Sequence, residues 1–220
     1  MAVVLVTAGP TREYLDEVRY LSNGSSGRMG YAVAAAAHEA GHQVCLVTGP
    51  VALDPPPGVS VVGVVSAREM LATVMERLPD TDVVFGVAAV ADYRPAVRAR
   101  GKPQKAEAEI SLQLLPNPDI LATVGEQKGA RVVVGFALEA GDAAAAITRG
   151  KAKLRRKHLD LIAVNRLAAI DAEDNEIVLL YDDGRQERLP SMNKQKVAAH
   201  LVAVAMGLWG KNGGNNAGSS

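Results

Sequence analysis

The feature that most limits the possible folds of this chain is the alternation of short apolar runs with longer helix-like stretches. Apolar runs bounded by turn residues are typical of strands buried on both faces of a parallel sheet. The runs are Val3–Thr7, Gln43–Thr48, Val59–Val65, Asp82–Val87, Arg131–Phe136 and Leu159–Asn165. Because strands that alternate with helices form βαβ units, the sequence predicts a doubly wound α/β fold with a mostly parallel sheet.

Three of the stretches between these runs carry helix signals at their ends. Arg28–Ala40 is rich in alanine and is followed by Gly41, a residue typical of the position after a helix. Ser66–Arg77 begins with a serine that has a glutamate three residues later, the pattern of a capping box. Asp142–Lys157 ends in a run of basic residues, which the helix dipole favours there.

The last quarter of the chain has a different pattern. The apolar run Ile177–Tyr181, an Asp-Asp-Gly turn and the segment Arg185–Leu189 predict a β-hairpin over residues 177–189, appended to the sheet. A closing helix is expected from about Asn193 to Met206, and residues 210–220, rich in Gly, Asn and Ser, are expected to be disordered. We therefore expect a single domain over residues 1–209.

Charge and cysteine content exclude several classes of protein. The 24 basic and 24 acidic residues give no net charge, which argues against binding to nucleic acid or to a membrane surface. Cys45 is the one cysteine and lies in an apolar run, so we expect a buried strand residue rather than a disulfide or a nucleophile. With neither a signal peptide nor a membrane-spanning stretch in the sequence, a cytoplasmic protein is expected.

The segment between the first strand and the first helix is the strongest functional signal. About twenty residues separate Gly9 from Arg28, where a standard dinucleotide fold has a tight turn. The helix is preceded by Asn23, Gly24, Ser25, Ser26 and Gly27, and Gly30 follows in its first turn. Free N–H groups at a helix N-terminus attract anions, so a phosphate site in a Rossmann-like fold is favoured. The alternative is that the glycines only allow a turn and close packing of helix on sheet.

A nicotinamide-dependent oxidoreductase on the same fold is a second hypothesis, but two expected signals are missing. The second strand ends in Thr48-Gly49-Pro50, without the acidic residue that would bind a ribose hydroxyl. None of the five tyrosines has a lysine four residues later, the pair that a short-chain dehydrogenase would use. A third hypothesis is an interaction module without catalytic activity.

Three further clusters are candidates for chemistry, each with a structural alternative. Asp92 follows the small residues after the fourth apolar run and could bind a metal or a substrate hydroxyl, or could serve as a cap. The basic loop Arg98–Lys105 could cover a polyphosphate or could simply be solvated. Lys153 and Lys157 lie on one helix face and could bind phosphates or only complement the helix end. No metal centre is predicted, since the four histidines lack suitable neighbours, and no residue is assigned as a metal ligand.

Six strings in order along the chain carry a family resemblance. They are Thr7–Glu13, Val18–Gly30, Ala88–Tyr93, Asn117–Leu121, Val134–Ala137 and Lys153–Asn165. Together they resemble phosphopantothenate–cysteine ligase, the second half of the bifunctional bacterial enzyme of coenzyme A biosynthesis, over about residues 3–207.

The resemblance implies a two-step reaction. A nucleoside triphosphate, CTP in the usual bacterial form, transfers its nucleotide to the carboxylate of 4′-phosphopantothenate and releases pyrophosphate. The amine of L-cysteine then attacks the acyl-CMP intermediate, which gives 4′-phosphopantothenoylcysteine and CMP. The resemblance also implies Mg²⁺ to screen the phosphates, a homodimer, and association with a phosphopantothenoylcysteine decarboxylase.

The resemblance assigns roles to individual residues. Nucleotide contacts are Gly9, Ser25, Gly27, Gly30, Gly86, Val87, Ala88, Asp92, Lys102, Pro118, Asp119, Ile120, Leu121, Phe136, Lys153, Lys157 and Asn165. Substrate contacts are Asn23, Ala88, Ala89, Asp92 and, reaching into the neighbouring subunit, Arg19. Asn23, which would hold the activated carbonyl, and Lys102 are the catalytic residues implied by the resemblance.

Two departures from the family pattern stand out. The basic loop usually carries Lys-Ile-Lys-Lys, whereas residues 102–105 read Lys-Pro-Gln-Lys, with one cation fewer and a stiffer backbone. Ala140 stands where threonine is common in the family.

Overall fold

The computed structural model of the chain describes residues 1–104, 111–166 and 177–213. Its strands are β1 (Val3–Ala8), β2 (Arg12–Tyr14), β3 (Tyr20–Ser22), β4 (Gln43–Thr48), β5 (Ser60–Gly63), β6 (Val83–Gly86), β7 (Tyr93–Pro95), β8 (Leu114–Pro116), β9 (Val132–Glu139), β10 (Leu161–Arg166), β11 (Ile177–Tyr181) and β12 (Gln186–Leu189). Its α-helices are α1 (Arg28–Glu39), α2 (Ala67–Arg77), α3 (Ile120–Glu126), α4 (Ala143–Arg156) and α5 (Lys194–Lys211).

Eight of these strands form one sheet in the order β12-β11-β10-β9-β6-β1-β4-β5. The six strands from β10 to β5 are parallel, and β11 and β12 add antiparallel pairs at one edge. In the middle of the sheet, Val4 of β1 lies beside Val44 on one side and Val83 on the other. The predicted doubly wound, mostly parallel sheet is confirmed, and the predicted hairpin extends this sheet.

Helices cover both faces of the sheet because the strand side chains alternate between two apolar layers. On one face, Val4 and Val6 of β1 pack in a cluster with residues of α1 and α5. On the other face, Leu5 packs in a cluster with residues of α2, α3 and α4. All three β1 side chains are at most 1% exposed, so β1 is buried on both faces, as its apolar run predicted.

The capping signals in the sequence correspond to real contacts. The Ser66 hydroxyl accepts a hydrogen bond from the Glu69 N–H at the start of α2. The Glu69 carboxylate in turn accepts from the Val65 N–H, one residue before the cap. The buried Glu13 carboxylate also accepts a hydrogen bond from the Ala67 N–H, the first amide of α2, at 2.9 Å. The local sequence did not predict this contact.

Three features differ from the sequence prediction. The antiparallel pairs β2–β3 and β7–β8 were not predicted, because three-residue strands are too short to show a period. Helix α5 continues to Lys211, so Gly210 is helical and does not begin a disordered tail. The extra turn forms because Leu208 and Trp209 pack against the core. Residues 214–220 of the predicted tail lie outside the described residues.

None of the helices that the structure describes combines the length and apolar character that a bilayer-spanning segment requires.

Candidate functional site

The order of the strands reverses between β1 and β6. From β1 the chain adds β4 and β5 on one side of the sheet, and it then returns to add β6, β9 and β10 on the other. At such a reversal the loops that leave the carboxyl ends of neighbouring strands diverge and open a crevice, where doubly wound folds bind their ligands. The glycine-rich segment after β1 and the small-residue loop Gly86–Asp92 after β6 both begin at this point.

The N-terminus of α1 has the features of an anion site. Gly27 precedes the helix with a φ of +75°, a conformation that favours glycine, and no side chain caps this end. Its first turn contains no acidic residue. The Ser25 hydroxyl accepts a hydrogen bond from the Gly27 N–H. Gly9, with a φ of +70°, lies beside Gly27, because a Cβ added to Gly27 would come within 3.4 Å of the Gly9 Cα.

The sequence left two interpretations of Gly30 open, a phosphate contact or close packing of the helix on the sheet, and the structure is compatible with both. A Cβ at this position would lie 2.5 Å from the Ala8 Cβ, so the missing side chain is what lets α1 rest on β1. The backbone N–H of Gly30 nevertheless belongs to the first turn of α1, where the amides have no carbonyl acceptor within the helix. The close packing therefore fixes where those amides lie relative to the end of β1.

The loop after β6 is attached to the end of β1 by several hydrogen bonds. The Thr7 hydroxyl, which is buried, accepts from the N–H groups of Val87 and Ala88 at 3.2 and 3.3 Å. The Ala89 N–H donates to the Gly9 carbonyl at 2.9 Å. The backbone that was predicted to contact the nucleotide is thus held against the glycine-rich segment.

Asn23 joins the same two segments. Its side-chain Nδ2 donates to the carbonyls of Ala89 and Val90 at 3.3 and 2.9 Å. To hold an activated carbonyl, as predicted, Asn23 would need a free N–H donor on its side-chain amide. In the structure, this amide donates to two carbonyls of the protein's own backbone. The structure thus brings Asn23 to the predicted substrate loop, and its catalytic role stays a prediction.

Asp92 lies at the end of this loop with its side chain exposed. Its backbone carbonyl accepts from the Asn117 N–H at 2.7 Å, which holds the main chain at this position. Its carboxylate makes no recorded bond within the described ranges, so it remains available for a ligand.

The two lysines of α4 that were predicted to bind phosphates are paired with carboxylates. Lys153 Nζ lies 2.6 Å from Glu139, and Lys157 Nζ lies 2.9 Å from Asp119, which also caps α3. Burial alone would raise the pKa of the Glu139 carboxyl, but hydrogen bonds from Lys153 and Arg149 outweigh it and lower the pKa. Each of these ammonium groups therefore already has a carboxylate partner within the protein, and phosphate binding by the two lysines stays a prediction.

Arg19 and Lys102 lie on neighbouring segments. Arg19 forms an ion pair with the buried Asp16 at 2.6 Å, and its guanidinium also reaches the Pro103 carbonyl at 3.5 Å. Backbone bonds from Arg19 and Val18, and then the side chain of Arg19, lower the pKa of Asp16 to about 2. Lys102 is exposed, and within the described chain its side chain makes no recorded contact. Lys105, the other end of the predicted basic loop, lies outside the described residues.

The remaining predicted nucleotide residues divide into ligand-accessible and buried positions. Leu121 lies against the Cα of Gly86, where a Cβ would come within 2.4 Å of its side chain. Ile120 is 6% exposed and belongs to the core, so only its backbone can face a ligand. Phe136 is half-buried in β9. Asn165, near the end of β10, has a buried Oδ1 that meets no hydrogen-bond partner among the described residues.

An open cavity of about 660 Å³ lies elsewhere, between the β2–β3 and β7–β8 hairpins and the start of α2. Its lining includes Arg12, Arg68, Arg94 and Arg98 with Glu13 and Glu17. Arg98 begins the predicted basic loop, but the residues that the resemblance assigns to nucleotide or substrate contacts are not part of this lining. This cavity is distinct from the crevice at the strand ends, where the glycine-rich segment before α1 is hydrogen-bonded to the loop Gly86–Asp92. Within the described residues, no three His, Cys, Asp or Glu side chains are grouped closely enough to hold a metal ion.

Comparison with known proteins gives consistent relationships. The model of the DNA/pantothenate metabolism flavoprotein C-terminal domain family matches residues 2–208. Coenzyme A biosynthesis bifunctional protein CoaBC of Vibrio vulnificus is 40% identical over 214 residues, which cover 94% of this chain and 52% of that protein. The chain thus spans about half the length of the curated relatives it matches.

Two solved structures extend the comparison. The crystal structure of the C-terminal domain of CoaBC has a TM-score of 0.78 and 37% identity, and the match covers 94% of this chain and 95% of that one. The Cab2 mutant H337A in complex with phosphopantothenate-cysteine has a TM-score of 0.81 over 97% of this chain and 88% of that one; at 16% identity, this likeness concerns the fold alone. The extent of the family match and the 40% identity lead to one conclusion: the chain belongs to the DNA/pantothenate metabolism flavoprotein C-terminal domain family.

Proposed function

We propose that this domain is the phosphopantothenate–cysteine ligase of coenzyme A biosynthesis, joining 4′-phosphopantothenate to L-cysteine through an acyl-CMP intermediate. The observation that carries the proposal is the uncapped N-terminus of α1 beside the loop Gly86–Asp92, at the reversal of strand order. The names of the related proteins, which refer to coenzyme A biosynthesis, support it.

The first step brings several anions together, and the residues at the strand ends suit that task. The first-turn amides of α1 would bind phosphate oxygens, assisted by the positive end of the helix dipole. Lys153 and Lys157 would exchange their carboxylate partners for phosphate oxygens when the nucleotide enters. The exposed Lys102 would approach the reacting carboxylate and the leaving pyrophosphate. This arrangement supports activation of a carboxylate by CTP.

Mg²⁺ is expected to enter with the triphosphate. It prefers phosphate and carboxylate oxygens and keeps several waters, so it needs few protein ligands. Asp92 is the residue that would hold it, since its exposed carboxylate has no recorded partner within the described ranges. The ion would supply charge neutralisation at the phosphates.

The second step requires the activated carbonyl to be held while the amine attacks. Asn23 lies against the predicted substrate loop and can supply an amide donor there if a substrate carbonyl replaces one of its two backbone acceptors. A donor placed on such an oxygen accelerates reaction by about 10²–10³-fold.

We also propose a homodimer. Val18, Tyr93 and Val97 are apolar yet 55%, 56% and 80% exposed, and they lie on or next to the two small hairpins. Such exposed apolar groups support burial against a second copy. Arg19 follows Val18 directly, so a second copy seated there would receive its guanidinium.

Two further relations follow from the proposed reaction. Its product carries the carboxylate that a phosphopantothenoylcysteine decarboxylase would remove, so association with such an enzyme would pass the product on directly. The three substrates are charged, water-soluble metabolites, which favours a cytoplasmic reaction.

The test is pyrophosphate release with CTP or ATP and Mg²⁺, in the presence and absence of phosphopantothenate and cysteine. We expect CTP and phosphopantothenate to give a single turnover of pyrophosphate, and cysteine to allow continued turnover with release of CMP. Pyrophosphate release that is independent of phosphopantothenate would contradict the proposal. Reduction of NAD⁺ or NADP⁺ by the same protein would instead favour an oxidoreductase.

A further inference from the structure

Asn117 makes two hydrogen bonds to adjacent residues of the loop after β6. Its side-chain Nδ2 donates to the Ala91 carbonyl at 2.9 Å, and its backbone N–H donates to the Asp92 carbonyl at 2.7 Å. Its Oδ1 accepts from Arg94 Nη1 at 3.4 Å, and the same guanidinium nitrogen also contacts the Pro116 carbonyl. The Asn117 side chain therefore uses both its donor and its acceptor.

The opposite side of Ala91 is also held. Its N–H donates to the Thr11 hydroxyl at 2.9 Å, and Thr11 is fully buried. The backbone of Ala91 is thus fixed by Thr11 at its nitrogen and by Asn117 at its carbonyl. The next residue is Asp92, whose carboxylate is free to meet a ligand, so these contacts set where that carboxylate lies.

The chain that leaves Asn117 forms the other wall of the proposed nucleotide pocket. Pro118–Leu121 follow Asn117 directly. Leu121 lies against Gly86, the first residue of the loop Gly86–Asp92, which forms the opposite wall of the pocket. Asp119 caps α3 and binds Lys157, a proposed phosphate ligand. Asn117 is consequently the point at which the two walls are bonded to each other.

We propose that Asn117 is a positioning residue for nucleotide binding, which holds the Asp92 loop and the Pro118–Leu121 wall at the separation that the bound nucleotide needs. This inference rests on the proposed ligase function. Only an amide can fill the position, because a carboxylate of the same shape has no N–H for the Ala91 carbonyl. An aspartate there would instead place a negative charge against that carbonyl.

The test compares Asn117→Asp with a matched control, Asn193→Asp. Both substitutions change an amide to an acid, but Asn193 caps α5 with its oxygen, which an aspartate retains. We expect Asn117→Asp to raise the Kd for CTP with Mg²⁺, measured by titration calorimetry, by about five- to hundredfold, the effect of one unpaired buried group. The KM for CTP should rise with it, kcat should change less, and Asn193→Asp should match the parent.

Urea unfolding establishes that each variant is fully folded under the assay conditions, so that a loss of stability is not mistaken for a loss of positioning. If Asn117→Asp does not fold, Asn117→Ala takes its place with the same expected rise in Kd. An unchanged Kd and KM in a folded variant would overturn the proposal, and failure of both variants to fold would make the role structural and overturn it as well. An inactive parent would refute the proposed ligase function, whereas an active parent with an equally active variant refutes only the role of Asn117.

Discussion

Replacing Gly30 with alanine tests how closely α1 must lie on the sheet. A Cβ at this position would be 2.5 Å from the Ala8 Cβ and 3.1 Å from the Thr7 carbonyl oxygen. Carbon atoms in contact normally stay about 3.5–4.0 Å apart, so the helix would have to move away from β1 by roughly 1 Å. Neither neighbouring atom can move aside, because one belongs to the backbone and the other is bonded directly to it.

The free energy of unfolding should reflect two opposing effects. Overpacking of this kind costs about 1–3 kcal/mol, while alanine gains about 1 kcal/mol over glycine inside a helix. We therefore expect Gly30→Ala to be destabilised by about 0–2 kcal/mol. Gly207 in α5 is the matched control, since a Cβ there would meet no atom within 4 Å. Gly207→Ala should gain about 0.5–1 kcal/mol, which leaves a difference between the variants of about 1–3 kcal/mol.

Urea unfolding at 25 °C, extrapolated to water, measures both variants. Binding of CTP with Mg²⁺ provides the second measurement, because a displaced α1 carries its first-turn amides out of position. We expect weaker binding for Gly30→Ala and unchanged binding for Gly207→Ala. If Gly30→Ala were stabilised as much as the control, the tight contact with β1 would be disproved.

Three further substitutions have definite expected outcomes. Lys102→Gln should slow pyrophosphate release without changing the urea midpoint, because Lys102 is exposed; an equal rate for variant and parent would remove it from the mechanism. Arg131→Lys should lower the free energy of unfolding by about 1–3 kcal/mol. The guanidinium of Arg131 donates to five carbonyls around the end of α2 and the end of α3, and a lysine cannot reach them all. An unchanged urea midpoint would show that water replaces these bonds. The pKa of Asp16 is lowered from 3.8 to about 2, so its contribution to stability is complete above about pH 4 and is lost as the pH falls towards 2. Asp16→Asn should therefore show a smaller loss of stability between pH 4 and pH 2 than the parent, and identical acid titrations of the two proteins would disprove this coupling.

The main sheet could be predicted from the sequence because its information is local. The run Val3–Val6 is apolar at every position, a pattern typical of a strand buried on both faces. Helix α2 begins where Ser66 and Glu69 predict it. The hairpins β2–β3 and β7–β8 have no comparable pattern, since their short strands are recognised only through their pairing.

The candidate site was predictable in part for the same reason. Gly9 and Gly27 adopt a positive φ that favours glycine, so this part of the site is visible in the sequence itself. The partners of Lys153 and Lys157 were not, because Glu139 and Asp119 lie on other elements and meet these lysines only after folding. The hydrogen bonds of Asn117 could not be predicted for a related reason, since their acceptors lie about 25 residues earlier in the chain.

The central place of β1 in the sheet has a consequence for synthesis of the protein. Val4 can pair with a first neighbouring strand only after Val44 has been synthesised, and with a second only after Val83 has been synthesised. At a synthesis rate of about 5–20 residues per second, the nascent chain spends several seconds with this buried central strand open along one side. Products that stop before residue 86 keep that side open permanently, and the unpaired N–H and C=O groups of β1 are then available to join the strands of other unfinished chains.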